Sequence, residues 1–250
     1  VIPFSGRGIL LDIEGTTSSV RFVYDVMFPA VREQLERFLA ETWESPETRA
    51  ACEVIANDAQ YASVDDWFEV LQASADQTRQ AMVRTEVLRL MDADAKVTGL
   101  KQLQGLIWQR GFENGELRAH VYDDVPPALQ DWHRAGLDVR IYSSGSIQAQ
   151  KLFFGHTEQG SLLAYFRGHY DTTTGPKREA SSYSAIAKQF EFPAAEILFV
   201  SDVPAELDAA RQAGMQTALC IRPGNAAVKS GHRHAELRSF AEIQIGRAER

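Results

Sequence analysis

Gly8-Ile9-Leu10-Leu11-Asp12-Ile13-Glu14-Gly15-Thr16-Thr17 joins a continuous apolar run to an abrupt cluster of polar groups. An uninterrupted apolar run is expected where a strand is covered on both faces, as in parallel sheets flanked by helices. The polar residues then fall at the carboxyl end of that strand. Similar runs recur at Val139-Arg140-Ile141-Tyr142 before Ser143-Ser144-Gly145-Ser146, at Ile197-Leu198-Phe199-Val200 before Ser201-Asp202, and at Thr217-Ala218-Leu219-Cys220-Ile221. Helical patterns over 127–135, 147–154, 179–190 and 205–213 lie between or after them, with Gly136 and Gly214 as helix stops. This alternation predicts an α/β fold, a doubly wound parallel sheet. Ligands of such sheets bind beyond the carboxyl ends of the strands, so Asp12, Ser143 and Asp202 are expected to share one crevice.

Residues from about 25 to 115 break the alternation. Val64, Phe68 and Leu71, then Val83, Val87, Leu90 and Met91, recur at helical intervals. The simplest organisation is an inserted α-helical cap over 21–117, with 1–20 and 118–250 forming the catalytic core. Trp67 and Phe68 are expected inside the cap. Trp108 either packs there or walls a ligand site.

Composition narrows the function. With 250 residues, 44% of them hydrophobic, the chain can bury a substantial core. A net charge of -8 provides no broad positive field, so nucleic acid and anionic membrane surfaces are disfavoured partners. No apolar run approaches the roughly 20 residues that cross a bilayer, and no leader pattern opens the chain. Cys52 and Cys220 sit far apart in unlike contexts, which gives no disulfide framework. A cytoplasmic monomer acting on a small phosphorylated metabolite is expected, its anionic substrate drawn in by a local cation.

Asp12 and Glu14 can face one pocket if the backbone turns at Gly15. A carboxylate attacks phosphorus competently when a divalent cation offsets the repulsion, and a second acid can protonate the leaving oxygen and then activate water. The competing reading is an ordinary turn. Ser143 to Ser146 begin a helix and can hold phosphate oxygens, or simply cap that helix. Lys177, in Thr174-Gly175-Pro176-Lys177, can neutralise phosphate and Asp12, with Arg178 as the rival cation. Asp202 is the candidate Mg²⁺ ligand; Glu206 either orders metal-bound water or sits favourably in the first turn of a helix.

Taken in order, Asp12-Ile13-Glu14-Gly15-Thr16, Ser144, Lys177 and Ser201-Asp202 resemble the four motifs of the haloacid dehalogenase superfamily, across nearly the whole chain. Most phosphatases of that superfamily carry Asp where this chain has Glu14, and the longer acid reaches differently. The departure points to a subgroup. Asp12 through Phe28, with Gln104 to Trp108, Asp124 to Leu129 and Ser143 to Ser146, resembles the enolase-phosphatases of methionine salvage. That resemblance implies enolisation and then dephosphorylation of 2,3-diketo-5-methylthiopentyl-1-phosphate to the acireductone. It implies one Mg²⁺ ion held by Asp12, Glu14 and Asp202, catalysis by Asp12, Glu14 and Lys177, and substrate binding by Ser143, Ser144 and Lys177. For Glu14, either the side chain or the backbone carbonyl would meet the metal.

Two other readings compete: a phosphatase of the same superfamily with a different small substrate, and a non-catalytic receiver-like module. A receiver has no use for a long helical insertion, whereas a hydrolase gains from excluding water. His232 and His234 follow a loop rich in glycine and lysine and are expected to be solvated. His156 ends a helix, where dipole stabilisation explains it.

Overall fold

A computed structural model describes residues 1–228 and 231–246, and the chain separates into two compact units, Val1–Val23 with Arg118–Arg250, and Tyr24–Leu117. The first unit contains a six-stranded, wholly parallel sheet. Its strands are β2 (Gly8–Leu11), β3 (Asp138–Tyr142), β4 (Gly168–Tyr170), β5 (Ile197–Ser201), β6 (Gln216–Cys220) and β7 (Ala235–Leu237), in the spatial order β4-β3-β2-β5-β6-β7. The central strand β2 pairs Leu11 with Ile141 on one side and with Val200 on the other. That register brings the residues following β2, β3 and β5 to one end of the sheet. A separate parallel pair joins β1 (Ile2–Phe4) to β8 (Ile243–Ile245).

The strands read as apolar runs because both faces are covered. Leu10, Tyr142, Phe199 and Leu219 pack on one side against Tyr183, Ile186 and Phe190, in and just after helix α9 (Ala180–Gln189), and Leu207 of α10 (Pro204–Gln212). Ile9, Leu11, Ile141, Leu198 and Val200, of opposite pleat, are equally buried. Helices α7 (Val125–Arg134) and α8 (Ile147–Gly155) touch β3 and β4. Gly136 and Gly214 follow α7 and α10 with φ of +79° and +91°, the left-handed geometry that ends a helix.

The second unit is all helical. Beyond a short α1 (Val20–Phe22) and a π-helical turn at Val23–Met27, the chain forms α2 (Phe28–Thr42), α3 (Pro46–Asp58), α4 (Val64–Val70), α5 (Asp76–Asp92) and α6 (Thr98–Glu113). Their buried faces meet in one cluster that includes Leu35, Ile55, Trp67, Phe68, Val87 and Ile107. Gly99 lets α6 approach α3, since a Cβ there would lie 2.5 Å from the Ile55 backbone nitrogen. Trp108 packs against this cluster and donates its indole N–H to the Met27 carbonyl at 2.9 Å.

Several expectations change. Leu71 does not share the buried face of Val64 and Phe68: α4 ends at Val70, and Leu71 is its C-cap, 52% exposed. His234 is not solvated. It is buried, with Nδ1 2.8 Å from Thr217 Oγ1 and Nε2 3.2 Å from Asp208, so it holds the start of β7 against β6 and α10. Part of the loop before it, residues 229–230, lies outside the described residues. Strands β4 and β7 went unread, being three residues long at the sheet edges with half-exposed sequence. Both cysteines are free and buried, and among the described residues no helix is long and apolar enough to cross a membrane.

A buried arginine ties the far parts of this unit together. Arg222, just beyond β6, pairs with both Asp124 oxygens at 2.9 Å, donates to the Thr16 and Arg238 carbonyls, and lies over the Tyr122 and Phe240 rings. Arg222→Ala is expected to cost about 3 kcal/mol, because the partly buried Asp124 loses its charged partner and keeps only the Ser239 hydroxyl and Phe240 N–H as donors. Urea unfolding monitored by far-UV circular dichroism checks this, and a change below about 1 kcal/mol would show the clamp to be dispensable.

Candidate active site

The segment after β2 is wound around a single acceptor. The amides of Thr16, Thr17 and Ser18 all point at the Ile13 carbonyl, at 3.2, 3.0 and 2.9 Å, and Gly15 N–H bonds to the Ser18 carbonyl at 2.8 Å. Gly15 adopts φ +71°, which closes the turn at little steric cost. Thr16, Thr17 and Ser18 are completely buried, so the loop is part of the core. It holds Asp12 at the strand end with 3% exposure, its Oδ1 accepting the Ile13 N–H at 2.8 Å.

The other oxygen, Oδ2, meets Lys177 Nζ at 2.7 Å, and the same ammonium sits 2.7 Å from Glu206 Oε2. Ser201 Oγ lies 3.1 Å from Asp12 Oδ2 and 3.2 Å from Glu206 Oε2; having one proton, it can donate to only one of them at a time. Burial alone would lower the Lys177 pKa, but the charges of Asp12 and then Glu206 reverse this and hold it above the usual lysine value. Two carboxylates share one ammonium, which leaves negative charge in excess. Glu206 bears part of it: burial and the Asp12 charge push its pKa up against the pull of Lys177.

Lys177 owes its position to the backbone beneath it. Three successive carbonyls are each gripped by a hydroxyl: Gly175 by Tyr142 at 2.9 Å, Pro176 by Ser182 at 2.8 Å, and Lys177 itself by Tyr183 at 2.8 Å. Gly175 has φ +143°, and a Cβ there would lie 2.3 Å from Ser182 Oγ. Neighbouring Arg178 is exposed.

Glu14 reaches across to β3, where Ser143 donates to its Oε2 at 3.3 Å, and Ser143 Oγ in turn accepts the Gly145 N–H at 3.3 Å. Burial and then the Asp12 charge raise the Glu14 pKa, against Lys177, which favours its protonated form. Ser144 is exposed beside this pair, and Ser146 caps α8 through the Ala149 N–H. Asp202 follows β5 and lies against Gly15: a Cβ on that glycine would fall 2.4 Å from Asp202 Oδ2. Burial, and then the Asp12 charge, push the Asp202 carboxyl from its ordinary 3.8 up to about 7. Asp12, Glu14, Ser143, Lys177 and Asp202 therefore occupy one end of the sheet.

Sequence reasoning quoted Ser201 within the Ser201-Asp202 motif without giving it a role, and gave none to Tyr142, Tyr183 and Ser182. The three hydroxyls that shape the lysine turn had no signal beyond proximity to it. Among the described residues, no three His, Cys, Asp or Glu side chains form a ready-made metal cage. The donors nevertheless suit Mg²⁺, which takes one or two carboxylates and otherwise keeps water and substrate oxygens. Asp12 and Asp202 are the carboxylates available, and the excess negative charge around them is of the sign a cation relieves.

A family model of haloacid dehalogenase-like hydrolases matches residues 7–214. Enolase-phosphatase E1 of Synechococcus elongatus is 46% identical to the chain, covering 97% of it and 99% of the relative. The chain belongs to the enolase-phosphatase E1 family of haloacid dehalogenase-like hydrolases. Family members from Pseudomonas aeruginosa and Drosophila melanogaster are 46% and 44% identical, covering 96% and 88% of this chain and 98% and 85% of their own. The solved structure of the UTR4 protein of Saccharomyces cerevisiae superposes with a TM-score of 0.76 at 31% identity, covering 96% of this chain and all of its own. CbbY of Rhodobacter sphaeroides, solved in complex with phosphate, shares the haloacid dehalogenase fold at a TM-score of 0.56 and 14% identity, over 95% and 96% of the two chains. Phosphatases of the wider superfamily generally use Mg²⁺.

The Asp202 shift has a direct consequence for stability. A carboxyl whose pKa is higher folded than unfolded binds more protons in the folded state, so its contribution falls as pH rises from about 4 to about 7 and is level above that. In chelator-treated protein, the urea midpoint of the wild type is expected to drop more between about pH 5 and about pH 8 than that of Asp202→Asn. An equal drop in both would remove Asp202 as the source.

Proposed function

We propose that this chain is an enolase-phosphatase that enolises 2,3-diketo-5-methylthiopentyl-1-phosphate and then hydrolyses it to the acireductone 1,2-dihydroxy-3-keto-5-methylthiopentene and phosphate, a step of methionine salvage. The observation that carries the substrate is the likeness to enolase-phosphatase E1 over nearly the full length of both chains. Support for the chemistry comes from Asp12, a buried carboxylate at a strand end whose Oδ2 is paired with Lys177 at 2.7 Å.

In this reading Asp12 is the nucleophile. Its carboxylate oxygen bonds to phosphorus as the bond from phosphorus to the substrate oxygen breaks, giving an aspartyl phosphate. Glu14, whose pKa is raised, gives its proton to the departing oxygen and then takes one from the water that attacks phosphorus, releasing phosphate and free Asp12. Lys177 pairs with Asp12 and meets the phosphoryl oxygens, with Ser143 and Ser144 holding the substrate from the end of β3. Asp12, Asp202 and Glu14, the last through its backbone carbonyl or its carboxylate, would hold one Mg²⁺ ion. When bound, that ion supplies charge neutralisation for the phosphoryl group and for the developing enolate.

Asp12→Asn is expected to fold normally and to lose turnover by about ten-thousandfold or more, in line with the removal of a nucleophile. Lys177→Ala should lower kcat by about a hundredfold, as loss of one charge-stabilising donor does. Borohydride reduction of the acid-quenched wild-type reaction should convert residue 12 to homoserine, and an untouched Asp12 during confirmed turnover would exclude the covalent step. With the diketo phosphate, diode-array spectra should show enol absorbance before phosphate appears. Phosphate release with no enol product would leave a phosphatase with another small substrate.

A further inference from the structure

The turn that follows β6 lies against the loop that carries Asp12. Pro223 and Gly224 form its corner, Gly224 at φ +89°, and the Asn225 N–H returns to the Arg222 carbonyl at 3.2 Å. The Asn225 side chain then reaches two carbonyls with one nitrogen: Nδ2 donates to Gly15 at 2.9 Å and to Cys220 at 3.2 Å. Two acceptors around one end of the amide fix its orientation, since only the NH₂ end can serve both. Oδ1 must therefore face the other way.

That oxygen is buried and accepts no hydrogen bond from any protein group. Its direction is informative. A Cβ added to Gly15 would fall 2.9 Å from Asn225 Oδ1 and 2.4 Å from Asp202 Oδ2, so both oxygens crowd the same face of that glycine and lie near each other. A buried acceptor left without a donor costs on the order of 1–3 kcal/mol, and turning the amide to escape that cost would present Oδ1 to two carbonyl oxygens. A water can donate to both a carboxylate and a neutral amide oxygen, and where that water belongs to a divalent cation, the groups that accept from it tune metal affinity.

We propose that Asn225 is a positioning residue for the divalent cation: its nitrogen holds the Gly15 carbonyl, and its oxygen accepts a hydrogen bond from a water of the cation's hydration shell beside Asp202. The inference rests on the Mg²⁺ reading above. It adds a residue from the far side of β6 to a site otherwise built from β2, β3, β5 and the Lys177 turn. The lack of a side chain at Gly15 matters beyond its φ, since a Cβ would collide with Asp202 Oδ2 and Asn225 Oδ1 and push the two oxygens away.

Calorimetric titration of chelator-treated protein with MgCl₂ tests this. Asn225→Ala is expected to bind Mg²⁺ about tenfold or more weakly, while KM for an aryl phosphate at saturating Mg²⁺ stays within about twofold. A folded Asn225→Ala protein whose Mg²⁺ affinity matches the wild type would overturn the proposal. Should that variant fail to fold, a crystal structure of the wild type with Mn²⁺ decides: a metal-bound water within about 3.2 Å of Asn225 Oδ1 supports the assignment, and Oδ1 bonded elsewhere refutes it. No Mg²⁺ binding by the wild type would remove the metal reading itself, and this proposal with it.

Discussion

One ammonium, that of Lys177, stands between the carboxylates of Asp12 and Glu206 at 2.7 Å from each. A charge so far from water is tolerable only when its partners are fixed. The fold meets that condition from three directions: β2 delivers Asp12, the first turn of α10 delivers Glu206, and the Gly175 to Lys177 turn is pinned by hydroxyls from β3 and α9. Ser201 then links the two carboxylates from β5. The parallel register matters because it places the ends of β2, β3 and β5 side by side, so a rigid sheet rather than a mobile loop sets these distances.

The same arrangement explains why the site remains electron-rich. Asp12, Glu14, Asp202 and Glu206 gather around a single lysine, and three of the four have pKa values raised by burial and by the Asp12 charge. In stability terms this is unfavourable, and a fold optimised for stability alone would not retain it. A divalent cation would relieve the excess, and on the reading proposed above it would, together with Lys177, balance the negative charge a phosphoryl group brings.

Much of this could be read from the residues. Gly8 to Leu11 reads as a doubly covered strand because its apolar run has no polar interruption, and the same logic located β3, β5 and β6. Asp12, Glu14, Ser143, Lys177 and Asp202 announced themselves as polar groups at strand ends or in a turn. What escaped notice depended on tertiary geometry. Tyr142 and Tyr183 look like core aromatics, and their role lies in where two hydroxyls fall. His234 looks like a polar residue after a loop rich in glycine and lysine, yet it is buried because β7 carries it against α10. Asn225 sits in a Pro-Gly turn, where an asparagine needs no further explanation until Gly15 is found beneath it.

Glu14 shows why one extra methylene is not a neutral change. On the reading proposed above, the acid at this place exchanges a proton with the leaving oxygen, so its position decides which oxygen it can serve. Here the longer side chain spans from the end of β2 to the end of β3 and is steadied by Ser143, which an aspartate on the same backbone would be shorter by one carbon to reach. Burial and the neighbouring charge of Asp12 favour its protonated form, the form that donates. Asp12 is paired to lysine while Glu14 is held between two strand ends, so two similar side chains, two residues apart, meet different environments. In the proposed mechanism that difference is what divides nucleophile from proton carrier.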